Sequence, residues 1–253
     1  MRLTGPLESA ALLTALPVPA RAVTSTRGVL PWAPLVGAVL GGVAAGVAEL
    51  GTRAVSPLTG AVLAVGALAL LTRGLHLDGL ADTADGLGPL RDRERALQVM
   101  RQSDVGPFGV ATLVLTLLLQ VACLAALLPQ DGGWLVLWTA VLAARLVMSR
   151  TGLPGVAVAA GSSLGRTVAG TVSATWLAAA AVLTLVVTGL PAVAVRGPEQ
   201  AAALVAAITA GVVAAEVLHR RAQRRLGGTT GDVMGAMCEV ATAATLLVAA
   251  ALW

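Results

Sequence analysis

The sequence predicts an all-α fold, a polytopic integral membrane helical bundle of about seven transmembrane helices with a short N-terminal interfacial helix. Three observations predict it. Of the 253 residues, 57% are hydrophobic and 12% charged, whereas soluble domains carry about a quarter charged residues. The apolar residues form blocks free of any charge, at Gly28–Ala48, Ala54–Thr72, Val105–Gln130, Thr167–Val195 and Gln200–Ala215. A crossing helix needs roughly 20 residues, which several of these supply, and the blocks are too continuous for the alternating strands of a membrane barrel.

The elements follow in order. Arg2 and the apolar stretch Ala10–Leu16 have the outline of a signal peptide, but Glu8 intrudes and Pro17 and Pro19 end the stretch early. Residues 1–20 therefore read as a short interfacial or re-entrant helix. Crossings are expected at Leu30–Leu50, Val55–Arg73, Pro107–Leu128, Gly133–Arg150, Val172–Leu190, Ala201–Leu218 and Val233–Trp253. Pro31 and Pro107 suit first helical turns, while Pro129 and Pro191 suit positions just past helix ends. Small residues at Gly37, Gly41, Gly42 and Gly46 let helix backbones approach closely. No linker or fixed-period repeat divides the chain, so residues 1–253 read as one transmembrane domain.

Charge sets the orientation. All 17 basic residues are Arg, a bias that matches an Ala-, Val-, Leu- and Gly-rich composition and carries no functional meaning. With a cytoplasmic N-terminus, 14 arginines fall in inner segments and 2, Arg53 and Arg196, in outer ones. The basic balance is thus topological, and nucleic acid is not a partner. Cys123 and Cys238 lie inside apolar stretches and read as small core residues.

Against this background the acids stand out. Asp78, Asp82 and Asp85 are spaced i, i+4 and i+7, within an arc of about 60° on a helix. Three carboxylates so placed repel unless a divalent cation such as Mg²⁺ joins them, usually together with substrate phosphates. A second constellation, Gly227–Glu239, opens with a glycine-rich turn suited to phosphate, with Gly231 in it. It places Asp232 and Glu239 on one helix face, with Gly235 between them. Both constellations fall on the inner side of the predicted topology. Arg101 and Arg145 lie between them in sequence; Arg145 either snorkels or pairs with a carboxylate or phosphate. His76 reads equally as a general base and as a polar group beside the metal. His219 is expected at the interface, Glu49 and Glu216 are expected to snorkel, and Arg220–Arg225 is expected to mark topology and anionic lipid. Residues 1–253 thus form a single transmembrane catalytic domain, a membrane enzyme with a carboxylate-metal site acting on a phosphate-bearing substrate.

The strings Leu75–Gly86 and Gly228–Glu239 closely resemble cobalamin synthase, the adenosylcobinamide-GDP ribazoletransferase family, and Leu12–Pro19, Pro34–Gly37 and Met100–Gly106 extend the likeness over most of the chain. The resemblance implies an Mg²⁺-dependent enzyme of the bacterial cytoplasmic (inner) membrane, multi-pass, with its active site facing the cytoplasm. Its partners would be the bilayer, adenosylcobinamide-GDP and α-ribazole or its 5′-phosphate, with GMP released; a homo-oligomer is left open. Carried over, the metal ligands are Asp78, Asp82 and Asp85, the catalytic residues Asp85, His76 and Asp82, and the substrate-binding residues Arg101, Arg145, Asp232, Gly231 and Glu239. The acid the family carries near Gln102 is shifted here to Asp104, and Ala159–Gly165 matches the family loop only at Leu164–Gly165, so none of these is given a role. The rival is a CDP-alcohol phosphotransferase-like enzyme, whose pattern wants an Arg that Asp78–Thr83 lacks. A transporter would place its acids near the bilayer midplane.

Overall fold

The computed structural model describes residues 4–23, 25–88, 91–102 and 104–253. Arg2, counted above among the inner arginines, lies outside them. The described residues form eleven α-helices, α1 Gly5–Leu13, α2 Val29–Ala54, α3 Pro57–Leu71, α4 Leu75–Leu87, α5 Arg93–Val99, α6 Pro107–Leu127, α7 Gly133–Ser149, α8 Ser163–Val168, α9 Ala174–Arg196, α10 Pro198–Leu226 and α11 Gly231–Leu252. Six of them, α2, α6, α7, α9, α10 and α11, are long and apolar enough to cross a membrane, and a seventh crossing follows if α3 and α4 count together. The chain is a polytopic helical membrane protein.

The connections between α2 and α3, α6 and α7, α9 and α10, and α10 and α11 are short, which makes those neighbours antiparallel. Two ends result. At the far end the Trp253 indole donates to the Asp131 carbonyl at 3.3 Å, and Arg196 donates to the Trp253 carbonyl at 2.9 Å. At the near end the Ser149 hydroxyl donates to the Leu30 carbonyl at 2.7 Å, tying the end of α7 to the start of α2.

Helix α7 is the centre, with 89% of its apolar window buried against 17% for α9. Lipid tails are as apolar as leucine, so helices associate by close packing of small residues rather than by leaving water. The interior accordingly holds Ala44, Ala48, Ala61, Ala64, Ala140, Ala144, Ala207 and Ala215, all fully enclosed. Of the small residues singled out in α2, Gly37 and Gly41 meet α7, where an added Cβ on Gly37 would lie 3.0 Å from Cβ of Arg145, while Gly42 and Gly46 face outward.

Several boundaries differ from expectation. Pro191 lies inside α9, and α9 and α10 run past their apolar windows to Arg196 and Leu226. Hydropathy marks the membrane core, whereas a helix continues through Arg, Gln and Ala, which are good helix formers. The N-terminal helix α1 is short, as expected. It docks on α2, and buried Glu8 accepts hydrogen bonds from Gly28 N at 2.9 Å and Ser25 Oγ at 3.0 Å, holding the start of α2.

The second crossing breaks at its inner end. Arg73 (φ 54°) and Gly74 (φ 68°) both take left-handed backbone, and α4 leaves at 88° to α3. Arg73 donates to the Leu12 carbonyl at 3.0 Å, so the corner is fastened to α1. We read α4 as lying across the near end, outside the crossing segments: Asp78 is exposed and Asp82 half-buried there.

Candidate active site at the near end

Helix α4 reaches its place by an unusually close approach to α11. An added Cβ on Gly79 would sit 2.6 Å from the Asp232 carbonyl oxygen, and one on Gly235 would sit 3.1 Å from Cα of His76. A side chain at Gly79 would force the helices apart, and one at Gly235 would be tight against α4, which is the use the fold makes of Gly235. The crossing puts Asp78 and Asp82 of α4 beside Asp232 at the start of α11.

These acids crowd one another. Burial, and then the negative charges of Asp78, Asp232 and Asp85, push the Asp82 carboxyl up to about 7. Among the described residues no arginine forms an ion pair with Asp78, Asp82 or Asp232. No group of three or more His, Cys, Asp or Glu side chains there is close enough to hold a metal unaided. Uncompensated carboxylates at a half-buried face nevertheless fit a hard cation, because Mg²⁺ is usually held by one or two carboxylates and completed by phosphate oxygens and water.

Asp85 is placed differently. Its Oδ2 accepts from Gly106 N at 2.8 Å and its Oδ1 from Gly109 N at 3.0 Å, so the buried carboxylate caps the start of α6. Glu239 also departs. It lies on the face of Asp232 but two turns along α11, about 10 Å at the helical rise, and accepts from Gln120 Nε2 at 2.9 Å. Sequence spacing put five acids on two faces; the structure gathers Asp78, Asp82 and Asp232 and sends the other two elsewhere.

Beside the gathered acids lies a cavity of about 420 Å³. His76, Arg101, Ser162, Ser163, Gly231 and Asp232 form its polar side, and Leu30, Leu97, Met100, Met148 and Val168 are among the residues of its apolar side. His76 is buried, and Arg145 donates to its Nδ1 across 3.2 Å. A guanidinium can only donate, so Nδ1 accepts and the ring proton sits on Nε2, which has no partner. Burial and the Arg145 charge hold the imidazole well below its usual pKa, and therefore neutral. Arg145 does not reach the cavity. It lines a separate small pocket with Gln120, Glu239 and Thr242. Arg101 does line the cavity and donates to the Ala160 carbonyl at 2.7 Å.

The glycine-rich turn is held by residues the sequence reading placed at the periphery. His219 is fully buried rather than interfacial, its Nδ1 3.0 Å from Arg150 and its Nε2 2.7 Å from the Thr229 hydroxyl. Glu216 does not snorkel; it takes Arg150 at 3.0 Å and Arg220 at 2.7 Å. Thr229 N donates to the Ala157 carbonyl at 2.9 Å, which brings Ser162 and Ser163 to the cavity opposite Gly231. Thr230 then caps α11 by accepting from Val233 N at 3.2 Å. Arg221 and Arg225 donate to the carbonyls of Leu87 at 3.2 Å and Arg91 at 3.0 Å, and Arg91 to that of Asp85 at 2.9 Å. Part of the basic cluster thus latches the end of α4. No single motif marked Arg150, His219 or Thr229, because their partners lie on different helices; an ionisable residue in an apolar span was the available signal.

Comparison with known proteins places this arrangement. The chain matches the family model described as cobalamin-5-phosphate synthase over residues 6–250. It is 39% identical over 257 residues to the adenosylcobinamide-GDP ribazoletransferase of Frankia casuarinae, covering 94% of this chain and 91% of that one. The proteins of the same name from Nocardioides sp. and Chlorobaculum tepidum are 42% and 37% identical, with 94% and 99% of this chain covered and 95% and 96% of theirs. No solved structure matches. A match of this length, running through both acidic constellations and every crossing, means that the chain belongs to the cobalamin-5-phosphate synthase family.

Proposed function

We propose that the protein transfers the adenosylcobinamide phosphate of adenosylcobinamide-GDP to α-ribazole or α-ribazole 5′-phosphate and releases GMP, the step that assembles the nucleotide loop of a cobamide. The observation that carries the reading is the meeting of Asp78 and Asp82 with Asp232 beside an open cavity, in a chain whose relatives bear that activity in their names.

In this reading the ribazole 3′-hydroxyl attacks the phosphorus that bears the aminopropanol arm. A new oxygen–phosphorus bond forms, the bond to the GMP phosphate breaks, and the hydroxyl proton leaves. One or two of Asp78, Asp82 and Asp232 would hold Mg²⁺, completed by phosphate oxygens and water, and the cation when bound would supply charge neutralisation at the phosphates and the departing GMP. Arg101 sits at the rim to hold phosphate oxygens. His76, its Nδ1 occupied, presents Nε2–H as a donor, so proton acceptance falls to an acid of the cluster. Only a carboxylate of the three that the cation leaves free can take it. Arg145 acts through His76, and Glu239 with Gln120 lines the pocket behind Arg145. Asp85 holds α6 in place behind the cluster.

The near end is assigned to the cytoplasm and the membrane to the bacterial inner membrane. Support comes from the arginines, of which only Arg53 and Arg196 flank the far end among the described residues. The test is purified protein in liposomes with adenosylcobinamide-GDP, α-ribazole 5′-phosphate and Mg²⁺. GMP and the cobamide product should form and should vanish with EDTA or Asp82→Ala. Reaction of a CDP-linked lipid with an alcohol, and no GMP, would reverse the reading in favour of a CDP-alcohol phosphotransferase.

A further inference from the structure

The cavity of about 420 Å³ is of a size that suits a drug-sized molecule. A corrin ring with its adenosyl ligand and nucleotide tail is far larger, so at most one end of the proposed substrates enters. Two flat fragments compete for the space: the guanosine of the leaving group and the benzimidazole nucleoside of the acceptor. They differ in what they need. Guanine carries donors and acceptors along one edge, and each one buried without a partner is costly. A dimethylbenzimidazole has no exocyclic donor and loses nothing against aliphatic and thioether groups.

The cavity lining mixes the two kinds of group the second fragment requires. Leu30, Leu97, Met100 and Met148 are all buried and form an apolar wall with two polarizable thioethers. His76, Arg101, Ser162, Ser163, Thr230 and Asp232 supply the polar part of the lining, and Asp232 belongs to the acidic cluster. His76 lines the cavity and is only 2% exposed, and its buried Nε2 has no hydrogen-bond partner within the protein. A nucleoside lying with its base on the apolar wall turns its ribose toward His76 and the carboxylates, where a sugar hydroxyl must be for transfer.

Resting on the function proposed above, we infer that this cavity is the acceptor subsite: it holds the apolar base of α-ribazole against Leu30, Leu97, Met100 and Met148, with the ribose at His76 and Asp232, while the corrin stays outside on the near-end surface. GMP leaves from the open side of the cluster and does not share the pocket.

The experiment fills the pocket and reads the two substrates separately. Leu164, which lines the cavity from the short helix α8 and is only partly buried, is changed to Trp. Leu97→Phe, on α5, is the second variant if the first fails to fold. The KM for α-ribazole should rise about tenfold or more while that for adenosylcobinamide-GDP stays within about twofold. Labelled α-ribazole should bind the wild-type protein in detergent, be excluded by the same variant, and not be displaced competitively by GMP. A rise confined to the KM of adenosylcobinamide-GDP, or competitive displacement by GMP, would overturn the assignment. Absence of cobamide synthesis by the wild type would sink the proposed function instead, and α-ribazole binding would still report on the pocket.

Discussion

Arg145 donates to Nδ1 of His76 across 3.2 Å, joining α7 to α4 inside the protein. The chain has 2 histidines, and each turns Nδ1 toward an arginine, His76 to Arg145 and His219 to Arg150. Both rings should therefore carry their proton on Nε2. Nitrogen NMR of protein labelled only in histidine reads this directly, since just two residues contribute. Arg145→Met should release His76 from its single tautomer and lower kcat by about tenfold or more, the worth of a hydrogen bond to a charged group. His219 should keep its signal. A rise in KM alone, with the His76 signal unchanged, would mean that Arg145 holds phosphate directly.

Asp85 separates a structural from a chemical reading of the same motif. Because both its oxygens accept backbone N–H groups at the start of α6, Asp85→Ala should lower stability by about 1–2 kcal/mol, the usual worth of a cap. Asp85→Asn, which keeps one carbonyl oxygen, should cost less. Thermal unfolding in detergent gives the comparison. A fully stable Asp85→Asn protein with no turnover would return Asp85 to the chemistry.

The acidic cluster sets a pH dependence. Asp82 holds its proton up to about 7 without metal, and a cation competes with that proton. The folded carboxyl pKa is raised, so between the ordinary 3.8 and about 7 the protein binds more protons than the unfolded chain, and metal-free stability falls as pH rises through that range. Mg²⁺ should offset this loss, with a larger thermal shift at pH 8 than at pH 5.5. Mn²⁺ binding followed by electron paramagnetic resonance should weaken as pH falls and disappear in Asp82→Ala. A shift that does not change with pH would place the cation elsewhere.

The crossings and the end of the bundle that holds the chemistry were legible along the chain, while the ends of α9 and α10 were not. Charge-free blocks locate crossings because the bilayer core excludes charge, and short connections make successive crossings antiparallel. The two acidic strings then fall at one end by counting alone. The i, i+4, i+7 spacing puts Asp78, Asp82 and Asp85 on one arc, but an arc of 60° still spans two neighbours. Asp82 meets Asp232 of α11, while Asp85 meets the start of α6.

Helix phase tells which way a side chain leaves its own helix; it does not tell which helix covers that face. The partners of His76, Asp85, His219 and Glu239 lie on other helices, and the covering helix was decided by packing, through Gly79 against Asp232 and Gly235 against His76. The sequence by itself determined a membrane bundle, its two ends and the residue types available for phosphate chemistry. Only the tertiary structure decided which carboxylates face each other, that Nδ1 of His76 is occupied, and that a cavity stands beside them, because each depends on which side chains from separate helices are brought together.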